Sequence, residues 1–150
     1  MKAVRAVLIV LHVLVGSNGL AGGYAAVSNP MSPFGISPET IENSPFDSFL
    51  IPGIFLLVVI GGGNLAAAAS YLLRRPIQGY LSGASGGILA AWIVVQCVMM
   101  RTVLPLHVAL FLTGIVLGLL ALVLLARERL WPGTWATRLL PGIFKADPGV

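Results

Sequence analysis

Charge is what this chain is short of. Of its 150 residues only 9% are Asp, Glu, Lys or Arg, against 57% apolar, where a soluble domain carries about 25% charged residues. A surface so poor in charge is one that faces lipid. Cysteine is nearly absent as well: the single Cys97 excludes an intramolecular disulfide, a CxxC redox pair and any cysteine-based metal cage. No acidic residue lies deep in an apolar run, since Glu39, Glu42 and Asp47 all fall between or at the edges of runs. That absence argues against proton-coupled pumping, which draws on an ionisable carboxylate inside the bundle. There is no Walker loop, no HExxH and no Cys/His metal spacing. Net charge is +4, but the basic residues are scattered at the ends of apolar runs and form no basic face, so nucleic acid is not an expected partner.

What is present is four long apolar runs, at roughly 4–27, 47–73, 79–100 and 106–126. Each comes near the ~20 residues that a helix needs to cross the hydrocarbon core. They are continuously apolar and do not alternate as barrel strands do, so the expected fold is an all-α membrane protein, a single antiparallel bundle of four transmembrane helices. Lys2, Arg5, Arg74, Arg75, Arg127, Arg129, Arg138 and Lys145 fall on one side and only Arg101 on the other. Basic residues favour the cytoplasm, which puts both termini there and makes 28–46 an outer loop. The competing reading of the first run is a secretory signal peptide, with Lys2 and Arg5 ahead of an apolar stretch and small residues. The run outlasts a typical 7–15-residue signal core, and cleavage would strand the Arg74–Arg75 loop without its first helix.

The outer loop carries its own start signals. Ser37-Pro38-Glu39 reads as N-cap, N1 and first-turn acid, which predicts a short interfacial helix through about Asn43. Ser44-Pro45-Phe46-Asp47 reads as a capping-box variant opening the second span, and Pro52-Gly53 predicts a kink one or two turns in. In the cytoplasmic tail, 127–150, Trp131 and Trp135 suit the headgroup layer, and Thr134 to Leu140 reads as one amphipathic turn along the inner surface.

Each span also has a seam of small residues: Gly16, Gly19 and Gly23 below His12; Gly53, Gly61 and Ala68 with Asn64; Gly79, Gly83, Gly86 and Gly87; Gly114, Gly118 and Ala121 below His107. Lipid tails are as apolar as leucine, so close backbone approach through such seams is what associates helices in a membrane. The seams serve either the bundle itself or a homodimer or partner membrane protein, with short loops favouring the first.

Polar residues within the spans form two layers. At about 1.5 Å per residue, His12 and Asn64 fall at similar depth in the inner half and form an inner polar pair. Asn18, Gln96 and His107 occupy the outer half, with Asp47 and Arg101 at its rim; these five make a candidate ligand site, suited to a lipid headgroup or small zwitterion. The plain alternative for Asn18, Asn64 and Gln96 is interhelical hydrogen bonding, with Asp47 a cap and Arg101 a headgroup anchor. The two histidines lie at different depths, so they cannot share one haem iron, and no cofactor or metal is expected. No catalytic residue is assigned. A membrane-embedded enzyme would need a nucleophile and base at one depth, which only Asp47 with His107 approach.

The run Ser44-Pro45-Phe46-Asp47-Ser48-Phe49-Leu50-Ile51-Pro52-Gly53, followed by Gly63-Asn64-Leu65 and Trp92-Ile93-Val94-Val95-Gln96, resembles a family of small bacterial four-helix integral membrane proteins. The resemblance runs from the outer loop to the fourth span. It implies the four-helix architecture and the bacterial inner membrane, and it carries no mechanism. Two functions stay open: a non-enzymatic accessory or assembly bundle whose partners are lipids and other membrane chains, or a binding or transport module with an outward polar pocket.

Overall fold

The computed structural model describes residues 2–139, in which every regular element is helical. Lys145, Leu140 and the remainder of the tail lie outside the described residues. Four helices are long and apolar enough to cross a membrane: α1 (Lys2–Ser28), α2 (Leu50–Leu72), α3 (Gln78–Met100) and α4 (Pro105–Arg127). A short α5 (Gly133–Leu139) follows and packs back on α4. Alternation of direction brings the start of α1, the α2–α3 turn and the end of α4 to one end, the basic end. The 29–49 loop and the α3–α4 turn share the other.

The bundle is built as two pairs. The most extensive contacts join α1 to α2 and α3 to α4, and those between the pairs are much sparser. Glycine explains the pairing. A Cβ on Gly19 would lie 2.7 Å from the backbone nitrogen of Gly61, and one on Gly61 would lie 2.9 Å from that of Leu20. A Cβ on Gly86 would lie 2.6 Å from the Gly114 carbonyl oxygen, and one on Gly114 would lie 2.8 Å from that of Gly86. Backbones this close gain dispersion and short-range polar contact that bulkier residues forbid. Gly16, Gly23, Gly53 and Gly79 are likewise packed against neighbouring helices, whereas Gly87 and Gly118 have open space where a Cβ would stand.

Two features of α2 differ from expectation. The helix opens at Leu50, with Ser48 Oγ accepting from the Leu50 N–H at 3.4 Å. Ser44 instead closes a turn: its hydroxyl donates to the Ile41 carbonyl at 2.7 Å and accepts from the Phe46 N–H at 3.2 Å. The Ser44–Asp47 segment is therefore a turn that precedes the helix by one step. The later start also removes the reason for a kink at Pro52, which falls in the first turn, where a missing N–H leaves no hydrogen bond unmade. The irregularity comes further on, where Leu56–Gly62 adopts π-helical register.

In the loop, Ser37 Oγ accepts from the Glu39 N–H at 3.4 Å and starts a single 3₁₀ turn, Pro38–Ile41. Ile41 is buried and this turn rests against α3. A second 3₁₀ turn, Pro33–Gly35, touches α1.

Gly114→Ala should destabilise the protein by about 1–3 kcal/mol, because the added methyl meets backbone that cannot yield without moving a helix. Gly87→Ala, with nothing in the way, should be neutral or slightly stabilising. Unfolding of both variants in mixed detergent micelles checks this; equal effects would mean that the α3–α4 approach is looser than described.

Candidate functional site

Polar side chains meet between the two helix pairs at two levels. On the basic-end side, His12 of α1 is fully buried and stands at the centre of a chain of hydrogen bonds. Its Nδ1 lies 2.8 Å from Asn64 Oδ1 and its Nε2 lies 2.7 Å from Ser82 Oγ. Tyr71 Oη is 2.8 Å from the same Ser82 oxygen. Asn64 fixes the direction of the chain. Its Nδ2 donates to the Ile60 carbonyl at 2.8 Å, so Oδ1 is the atom turned to His12, and an amide oxygen only accepts. His12 Nδ1 is then the donor. In the neutral imidazole Nε2 accepts from the Ser82 hydroxyl, which in turn accepts from the Tyr71 hydroxyl. Tyr71 also stacks near the imidazole, with ring centroids 6.3 Å apart.

The inner pair His12 and Asn64 is thus brought into direct contact, and Ser82 and Tyr71 join it. Sequence reasoning passed over both. Ser82 sits among Gly79, Gly83 and Gly86 and reads as another small residue of the seam. Tyr71 stands three positions before Arg74, where an aromatic belongs to the headgroup layer.

A serine, a histidine and an asparagine in this order have the connectivity of a nucleophile, its base and the group that orients the base. Here the connectivity is sealed. Ser82 and His12 are both 0% exposed, and the serine oxygen is already occupied by Tyr71 as well as by His12. With all members satisfied and no side open, the chain serves as a lock between α1, α2 and α3. At the same end Arg5 Nη2 donates to Glu128 Oε1 at 2.9 Å and Gln78 Nε2 approaches that oxygen at 3.4 Å. This ion pair is partly exposed, so it is worth little by itself.

Towards the loop end the space between the pairs is not filled. A cavity of about 300 Å³ is bounded by all four long helices and by Phe34 of the loop. Its wall is mostly apolar (Val15, Leu56, Ile60, Leu89, Ile93 and Leu110 among others), with Asn18, Trp92, Gln96 and His107 as its polar members. Three of the five residues expected at an outer site therefore line one cavity. Asp47 and Arg101 do not. Both are exposed, Asp47 in the turn ahead of α2 and Arg101 in left-handed conformation (φ 46°) as the residue that ends α3. The mixed charge expected at the rim is thus no part of the cavity, and with it goes the reason to favour a zwitterion.

The polar wall residues differ in how far they are satisfied. Asn18 Nδ2 donates to the Leu14 carbonyl of its own helix at 2.8 Å. His107 is buried, and its Nδ1 accepts from the Leu104 N–H at 3.3 Å, tying the start of α4. Trp92 is 8% exposed and stacks on Phe55 with centroids 4.3 Å apart. Its indole Nε1 is buried and has no hydrogen-bond partner among the described residues, an arrangement that costs free energy and calls for a reason. Among the described residues no cluster of His, Cys, Asp and Glu is arranged to hold a metal ion.

No family model, no curated protein and no solved structure matches this chain.

If this hydrogen-bonded chain is a lock, His12→Leu should cost about 1–3 kcal/mol, because Asn64 Oδ1 loses its donor and the Ser82 hydroxyl its acceptor in a dry interior. A double-mutant cycle between His12→Ala and Ser82→Ala should give a coupling of about 0.6–1.7 kcal/mol, the range of such bonds in membranes. A fluorophosphonate probe should leave Ser82 unlabelled in the folded protein. Labelling that depends on His12 would instead make Ser82 a nucleophile.

Proposed function

We propose that this chain is a multi-pass protein of the bacterial cytoplasmic membrane, with both termini in the cytoplasm, that binds a small lipid-phase molecule in the cavity between its two helix pairs. The placement rests on the eight-to-one distribution of basic residues in the sequence, which puts the cavity in the outer half. The binding role rests on one observation: a largely apolar cavity between the helix pairs with a few polar groups in its wall, among them Trp92, whose buried indole N–H has no partner among the described residues. Ligand sites commonly have this composition, in volumes from about 300 Å³ upward. Bundles place such sites between helices, and the π-helical segment of α2, which supplies Leu56 and Ile60 to the wall, is a feature that recurs at functional sites.

The alternative role, an accessory bundle that recruits another chain through its glycine seams, has less to work with. Gly19, Gly61, Gly86 and Gly114 are already closed against the chain's own helices.

Native mass spectrometry of protein extracted gently from its own membrane should show a retained molecule of defined mass. Gln96→Leu should lose that molecule while keeping the fold, and Asp47→Asn and Arg101→Ala should retain it. Protein that carries no small molecule but leaves the membrane in stoichiometric complex with another chain would favour the accessory role.

A further inference from the structure

The lining of the cavity restricts what can occupy it. Among the described residues that line it, none is Asp, Glu, Lys or Arg. An ion brought in from water would lose its hydration and meet no counter-charge, which is costly in a low-dielectric interior. An uncharged occupant is therefore required.

Its hydrogen-bonding sense follows from the wall. Trp92 Nε1–H can only donate, and it has no partner among the described residues. His107 Nδ1 accepts from the Leu104 N–H, so the neutral ring carries its proton on Nε2, and that atom donates to no group among the described residues. The Gln96 amide, likewise without a partner among them, offers two donors and one acceptor. Asn18 already spends one donor on its own helix. The wall has donors to spare, so the complementary head is a hydrogen-bond acceptor.

A place for an apolar chain adjoins it. Along α3 and α4 runs a groove of about 410 Å³ lined by Val94, Cys97, Val98, Val103, Val108 and Phe111, together with Ile93 and His107. Those last two residues also line the cavity, so head space and chain groove share a wall. The described residues that line the groove likewise include no Asp, Glu, Lys or Arg.

Building on the binding role proposed above, we infer that the occupant is an uncharged, carbonyl-bearing lipid. Its carbonyl oxygens accept from Trp92, Gln96 and His107, and its hydrocarbon lies in the α3–α4 groove. Two membrane constituents share this chemistry, a prenylated quinone and the ester region of a neutral glyceride.

Three tryptophans are present in the chain. With Trp131→Phe and Trp135→Phe, Trp92 becomes the sole indole and reports on its own cavity. This full-length variant in lipid nanodiscs is titrated with decyl-benzoquinone, dioctanoylglycerol, dodecyltrimethylammonium and dodecyl phosphate. The first two are also tested with ¹³C-labelled carbonyls by infrared difference spectroscopy. The expected result is a saturable change in Trp92 emission with a carbonyl compound and a lowered carbonyl stretching frequency. Gln96→Leu should weaken binding by about tenfold, the effect of one lost hydrogen bond to a buried group. Saturation by the quinone alone or the glyceride alone identifies the source, and saturation by both supports the shared chemistry. If a charged amphiphile saturates Trp92 and neither carbonyl compound does, the inferred class is wrong and the binding role survives. If none saturates in a Gln96-dependent way, the cavity is not a binding site and both fall.

Discussion

The bundle depends on how two glycine-zipped helix pairs are kept together in a solvent that does not press them together. In water an apolar interface between α1–α2 and α3–α4 would close by itself. In lipid it gains little, because a hydrocarbon chain serves a leucine as well as another leucine does. Within each pair, backbone approach at Gly19–Gly61 and Gly86–Gly114 supplies the missing attraction. Between the pairs the task falls to polar groups, and His12 is the one that reaches both sides, to Asn64 on α2 and to Ser82 on α3. Separating the pairs would break the bonds of Ser82 to His12 and to Tyr71 and leave those groups bare in a dry interior, so separation is penalised there.

The cavity is a consequence of where that lock sits. His12, Asn64, Ser82 and Tyr71, with Arg5 and Glu128 beyond them, all lie towards the basic end. At the other end the pairs meet through Phe55 stacked on Trp92 and through side chains too small or too few to fill the gap between them. The π-helical segment of α2 serves both levels. It carries the Ile60 carbonyl that orients Asn64, and it turns Leu56 and Ile60 to the cavity wall. One irregular stretch of backbone thus contributes both to the lock and to the cavity wall.

The four spans were legible because their signal is compositional: some twenty apolar residues with flanking charge leave few alternatives in a bilayer. Arg74 and Arg101 located helix ends by their charge, although glycine is the usual residue for the left-handed position that both adopt. The contact of His12 with Asn64 followed from depth alone, since helical rise converts residue number into height. What depth cannot give is azimuth. Asp47 and Arg101 were grouped with Gln96 and His107 by height, yet they stand outside the cavity because their side of the backbone is fixed by a turn and a left-handed cap. Ser82 and Tyr71 were missed because a serine in a glycine seam and a tyrosine near a basic end each have an ordinary explanation. The π-helical register left no mark in the sequence beyond Gly61-Gly62-Gly63.

The likeness of Ser82, His12 and Asn64 to a catalytic arrangement illustrates why connectivity is a weaker guide than access. A nucleophile must have a free direction from which a substrate can approach, and the Ser82 oxygen has none: His12 and Tyr71 occupy it and the surface is closed. The cavity near the loop end presents the reverse case. Its polar groups form no network, and among the described residues the buried Trp92 indole N–H is left unpaired. A satisfied network is at rest and needs no visitor. An unsatisfied donor in the wall of a largely apolar cavity is a place where a ligand acceptor gains, because the cost of burying that N–H is already borne by the fold.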